Sequence, residues 1–115
     1  MALRAPTGQQ ADRPVAVKMP DFRDVDPREL RVPPSRPQAD PGKLQRQIAR
    51  FGRSAAGMPP PWVYESSDGV FLLYNGVTRA TRIAKFSPGT LIRVEVIGQT
   101  RRPCAGYTKI GDVLP

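Results

Sequence analysis

The residues best suited to chemistry in this chain of 115 residues stand together at Asn75-Gly76-Val77-Thr78-Arg79. They follow the apolar run Val70-Phe71-Leu72-Leu73-Tyr74 and precede a stretch in which Ala80, Ile83 and Ala84 recur at helical spacing. A strand that gives way to a helix presents unpaired backbone N–H groups and the positive end of the helix dipole. Gly76 lets the backbone approach a ligand closely and adopt φ values that other residues avoid. Thr78 is expected to cap the helix and to offer a hydroxyl. Arg79, in the first helical turn, opposes the dipole, a placement that makes sense when an anion sits in front of it and is gripped by two N–H groups at once. Arg82 and Lys85 follow at three-residue steps and extend the positive field. The expected phosphate-binding set is Asn75, Gly76, Val77, Thr78, Arg79 and Arg82.

A second cationic series precedes it. Lys43, Arg46, Arg50 and Arg53 recur at three, four and three residues, opposite the apolar series Leu44, Ile48 and Phe51. Such a stripe is the solvated face of an amphipathic helix or a track for a nucleic-acid backbone. Asp40 is placed to cap this helix, Pro41 suits its first position and Gly52 its end.

Catalysis would require a base or a metal-binding carboxylate beside Arg79. Glu65 is the candidate for that role, with Arg79 stabilising developing phosphate charge; Asp68, Glu29 and Glu95 are the other carboxylates available. An oxygen-ligated Mg²⁺ is the one cofactor this chemistry suggests. The sequence has no histidine, which removes His-activated nucleophiles and disfavours zinc. The single cysteine, Cys104, allows no internal disulfide and reads as a minor structural or semi-exposed thiol.

Lys and Arg number 18 against 10 Asp and Glu, a formal charge of +8, so a polyanionic partner is expected: a nucleotide, a nucleic acid or an acidic protein. No apolar run approaches the roughly 20 residues of a membrane helix, and the N-terminus lacks the apolar core of a secretory signal, so no membrane partner and a cytoplasmic location are expected.

The elements that position these groups follow from turn chemistry. Residues 1–20 read as a proline-broken tail, and Val32-Pro33-Pro34-Ser35-Arg36-Pro37 as extended chain. Asp26 to Val32 reads as a turn and a short strand. Trp62-Val63-Tyr64 and Val70 to Tyr74 form a hairpin about Ser66-Ser67-Asp68-Gly69, the second strand buried on both faces by its unbroken apolar run. Trp62 and Tyr64 read as core or rim. Thr78 to Phe86 is a helix stopped by Ser87-Pro88-Gly89, and Leu91 to Ile97 is a strand with Ile92, Val94 and Val96 on one face. The expected organisation is a tail (1–20), a domain (21–98) and a C-terminal extension (99–115).

From Val25 to Ile97 this order resembles the ParB/sulfiredoxin-like superfamily. The shared features are an Asp-Pro opening, a helix ending at Phe51-Gly52, a proline-rich approach to a hairpin, Asn75-Gly76-Val77-Thr78-Arg79 opening a helix, and Leu91 to Ile97. Members typically carry Gly-x-x-Arg at this turn, matched by Gly76 and Arg79, with Asp common where Asn75 stands. The resemblance implies an α+β fold: a small mixed sheet, two main helices and a basic strand-to-helix turn that holds nucleotide phosphates. Sulfiredoxins place a catalytic Cys where Val77 stands, kinase-like members use a His that is absent, and the chain ends too early for a partitioning protein's helix-turn-helix. What the resemblance leaves is an isolated core domain, as in small phage or plasmid proteins and in polymorphic toxins with proposed nuclease activity. Three functions follow as expectations: a nuclease or nucleotide hydrolase of the toxin kind, secreted as part of a larger system; a non-catalytic nucleotide- or DNA-binding module; or a domain that meets an acidic immunity-type protein.

Overall fold

The computed structural model describes residues 19–115; the expected tail falls, for residues 1–18, outside them. The described chain is an α+β domain with two helices on one face of a four-stranded mixed sheet. In chain order the elements are β1 (Asp21–Val25), a 3-10 turn (Pro27–Glu29), α1 (Pro41–Phe51), β2 (Trp62–Ser66), β3 (Phe71–Asn75), α2 (Val77–Phe86), β4 (Ile92–Thr100) and a second 3-10 turn (Ile110–Asp112). The sheet order is β1-β4-β2-β3. β1 pairs antiparallel with β4, β2 pairs antiparallel with β3, and β2 pairs parallel with β4. That parallel pair requires a crossover, which β3 and α2 supply.

Why these residues form these elements is mostly local. Pro41 opens α1 and Gly52 closes it at φ 59, its N–H donating to the carbonyl of Ile48. Asp40 occupies the N-cap position, yet its side chain makes no capping bond. The hairpin turns through Gly69 at φ 83, whose N–H donates to the Ser66 carbonyl. β4 follows the alternation of its sequence: Ile92 and Val94 are buried, while Leu91 and Arg93 are exposed. On α2, Ala80, Ile83 and Ala84 are buried against the core formed by Leu30, Val32, Leu44, Val63, Leu73 and Ile110. Burying a side chain such as Ile83 contributes about 2 kcal/mol.

Two expectations fail, the first because only one face of the sheet is covered. β3 is an edge strand with Leu73 buried and Tyr74 60% exposed, rather than a strand enclosed on both faces. Tyr74 stacks on the half-exposed Trp62 and meets Tyr64 edge-on. The β3 edge is nevertheless paired, because Arg31 exchanges backbone hydrogen bonds with Phe71 and Leu73. On α1, Leu44 is buried and Ile48 partly so, but Phe51 remains 44% exposed at the helix end, outside the core.

The C-terminal segment belongs to the same body. β4 runs to Thr100, past the expected boundary at residue 98, and the chain then folds back. The Ile110 N–H donates to the Leu30 carbonyl and the Val32 N–H to that of Thr108. Ile110 and Cys104 are fully buried. Asp68 in the hairpin turn fastens this segment by accepting from the N–H groups of Cys104 (3.1 Å) and Ala105 (2.9 Å). Among the described residues, no helix is long and apolar enough to cross a membrane.

Candidate anion-binding cleft

The turn that ends β3 is built around Gly76, which stands at φ 91 and forms the N-cap of α2. A Cβ at Gly76 would lie 2.7 Å from Pro61 Cβ and 2.9 Å from Arg79 Nη2. The glycine is therefore required twice, by its backbone conformation and by the close passage of a proline and a guanidinium. Helical side chains lean toward the N-terminus, so Arg79 folds back over the turn from which its own helix starts. Thr78 is the second residue of α2, two positions past the N-cap; the Gly76 carbonyl accepts from the Ala80 N–H.

α1 packs beside α2 and carries the second cationic series to the same place. Together they enclose a cleft of about 430 Å³. Gly76, Val77, Thr78 and Arg79 line one wall, and Lys43, Arg46, Gln47, Arg50 and Phe51 the other, with Arg36 arriving from the proline-rich loop. Two series far apart in sequence thus converge. Five cations face the cleft, and none of its lining residues is a carboxylate. Among the described residues none of the five forms an ion pair; the salt bridges there join Arg23 to Asp21 and Glu65, Arg93 to Asp24, and Lys109 to Glu29. Arg79 Nε is buried with no hydrogen-bond partner. Burial lowers the Arg79 pKa from the usual guanidinium value, with no neighbouring carboxylate to raise it again. The charge is partly shielded from water and has no ion-pair partner among the described residues, beside helix N-terminal amides that add to the positive potential.

The cleft continues at both ends. A recess of about 200 Å³ shares Gln47, Phe51 and Arg79 with it and is closed by Ala56, Gly57, Met58, Pro59 and Arg82. At the other end a recess of about 330 Å³ shares Arg36, Lys43 and Thr78 and adds Ser35, Pro37, Gln38 and Asp40.

Several expected site residues stand elsewhere. Arg82 does not line the central cleft and borders only the smaller recess. It is 1% exposed and donates to the carbonyls of Ser54 (2.7 Å) and Gly52 (3.0 Å) and to Gln47 Oε1 (3.3 Å), with its guanidinium over the Phe51 ring. It neutralises the carbonyl-rich end of α1, a structural task. Asn75 Oδ1 accepts from the Trp62 N–H at 3.0 Å, which fixes the start of the hairpin. Arg53 lies beyond the end of α1, is exposed and lines neither cleft nor recess; the helix ends at Phe51, so the helical stripe stops before it.

The carboxylates are likewise dispersed. Glu65 pairs with Phe71 across the hairpin, four residues from Asn75, roughly 13 Å along the strand. It accepts from Arg23 (3.5 Å) and Gln99 (3.3 Å) rather than facing Arg79. Asp68 holds the C-terminal segment, Glu29 pairs with Lys109, and Glu95 lies opposite Phe22 in the sheet. Among the described residues no group of three or more His, Cys, Asp or Glu is arranged to hold a metal. The cleft lining has no carboxylate to hold Mg²⁺. Cys104 is fully buried, its thiol pKa raised chiefly by burial, which suits an inert packing role.

The signal that sequence reasoning could have used for Arg36 and Phe51 is faint. Arg36 sits in a loop among prolines, and Phe51 continues an apolar series whose other members go inward.

No protein-family model matches this chain, and no curated protein does.

Proposed function

We propose that the domain binds the phosphate groups of a nucleotide or nucleic acid in the cleft between α1 and α2, as a binding module. The observation that carries this is the convergence of five cations from three segments around Arg79, with no carboxylate in the lining and no ion pair on any of them among the described residues. Gathering like charges opposes folding unless something compensates, and an oxyanion is the ligand for which guanidinium forks, a hydroxyl and helix N-terminal amides are complementary. The ParB/sulfiredoxin-like resemblance of the Gly76-to-Arg79 turn belongs to the same proposal. A nuclease or nucleotide-hydrolase activity would need a base or a metal-binding carboxylate beside Arg79, and the cleft lining supplies neither.

Thermal unfolding in low salt with added inorganic tripolyphosphate tests the proposal. A ligand that binds only the folded state raises the melting temperature by mass action. The rise is expected in the wild type and is expected to vanish in the double variant Arg46→Gln/Arg79→Met. No rise in the wild type, or an equal rise in the variant, overturns it.

A further inference from the structure

The cleft is the middle of a trench, and its shape selects among phosphate ligands. The two recesses adjoin it at opposite ends of α1: one is bounded by Phe51 and the loop that follows it, the other by Asp40 and the loop before it. The trench therefore runs along the α1 axis. Lys43, Arg46 and Arg50 form a ladder beside it, and the helical rise separates the first from the last by about 10 Å. Arg79 faces this ladder from α2, and the one carboxylate among all these lining residues, Asp40, stands at the far end.

A ladder of this length is poorly used by one nucleoside triphosphate, whose phosphates share bridging oxygens and crowd together. It suits phosphates separated by whole sugars. The ends of the trench reinforce the distinction. The smaller recess is chiefly apolar, formed by Ala56, Met58, Pro59 and the half-exposed Phe51 ring, directly beside the Arg79 cation. A flat base attached to a phosphate held at Arg79 would stack there. A base that enters this recess must be unstacked and unpaired, which a single strand allows and an intact duplex does not.

We infer that the trench takes a short run of single-stranded nucleic acid, with two or three successive phosphates along Lys43, Arg46, Arg50 and Arg79 and one base in the recess at Phe51. The inference rests on the phosphate-binding reading and narrows it to a polymer.

Fluorescence anisotropy with labelled oligothymidylates of two, four and eight nucleotides, with a duplex, ATP, CTP and tripolyphosphate as competitors, tests it. Affinity is expected to rise at least tenfold from two to four nucleotides and then to flatten. Three phosphate contacts on a single strand predict a slope of about −2 in log affinity against log salt. ATP, CTP and the duplex are expected to compete at least tenfold more weakly than the tetranucleotide. Phe51→Leu is expected to weaken the tetranucleotide about fivefold or more while leaving tripolyphosphate unchanged. A nucleoside triphosphate or the duplex that competes as well as the tetranucleotide overturns the inference and leaves the phosphate site standing. So does equal binding of two and four nucleotides. Failure of tripolyphosphate and every oligonucleotide to bind at low salt overturns both.

Discussion

Arg79 and Arg82 lie one helical turn apart on α2, Arg82 fully buried and Arg79 partly so, and their surroundings are opposite. Arg82 is enclosed by acceptors: the carbonyls of Gly52 and Ser54, just past the end of α1, and the Gln47 amide oxygen. Arg79 has a buried Nε with no acceptor and faces a wall of further cations. The two ends of the hairpin repeat the contrast. At the Asp68 end the carboxylate accepts from the Ser66 hydroxyl and from two backbone N–H groups, so the polar groups satisfy one another. At the Gly76 end, positive groups are collected without partners. Burial of charge is tolerated where internal acceptors replace water, as at Arg82; at Arg79 no such acceptor is supplied.

The largest expected effect breaks the first half of this contrast. Arg82→Met leaves the Gly52 and Ser54 carbonyls without their donor and should lower the unfolding free energy by about 3 kcal/mol. Arg79→Met, which removes an unpartnered cation, should stay within about 0.5 kcal/mol of wild type. Urea titrations of both variants check this, and equal losses would show that the two arginines do the same work.

Gly76→Ala should come next. Its left-handed backbone alone costs a non-glycine residue about 1–3 kcal/mol, and the added Cβ would meet Pro61 at 2.7 Å and displace the Arg79 guanidinium. The variant should lose both stability, in urea, and the melting-temperature response to tripolyphosphate. Gly57→Ala is the control: it also stands at positive φ, 69, but a Cβ there meets nothing within 4 Å. It should lose stability alone.

A smaller effect is expected at the Asp68 end. The Ser66 hydroxyl, followed by the Cys104 and Ala105 N–H groups, draws the Asp68 pKa down to about 2 from an ordinary 3.8. A depressed folded-state pKa means that this stabilisation is fully present above about pH 4 and is lost as pH falls toward 2. Thermal melts between pH 2 and 6 should therefore show a steeper acid-side loss for wild type than for Asp68→Asn. Parallel curves would remove Asp68 from the account. The smallest effect belongs to Arg53→Ser, which should leave both stability and phosphate binding unchanged within error. A clear loss of binding would extend the cationic wall beyond the end of α1.

Much of this was legible in the chain. The apolar spacing in α2, the alternation in β4, Pro41 and Gly52 at the ends of α1 and Gly76 before α2 are local signals, because helix period, strand period and backbone freedom are properties of neighbouring residues. β1 was not read. Its sequence Asp21-Phe22-Arg23-Asp24-Val25 has little apolar pattern, and it is a strand because β4 offers it an edge to pair with. The fate of residues 99–115 was equally hidden, since the acceptors that hold them lie on Asp68 and Leu30.

The sequence by itself determined that a glycine and an arginine open a basic helix, that a second helix carries a cationic stripe, and that histidine chemistry is absent. Only the tertiary structure decided that these two features face one cleft, that Arg36 joins them, and that Arg82 and Glu65 do not. The physical reason is that residue type and spacing fix which way a side chain points from its own element. The partner it finds depends on how elements distant in sequence pack, and for two arginines on one helix that packing separates an internal brace from a cation lining an open cleft.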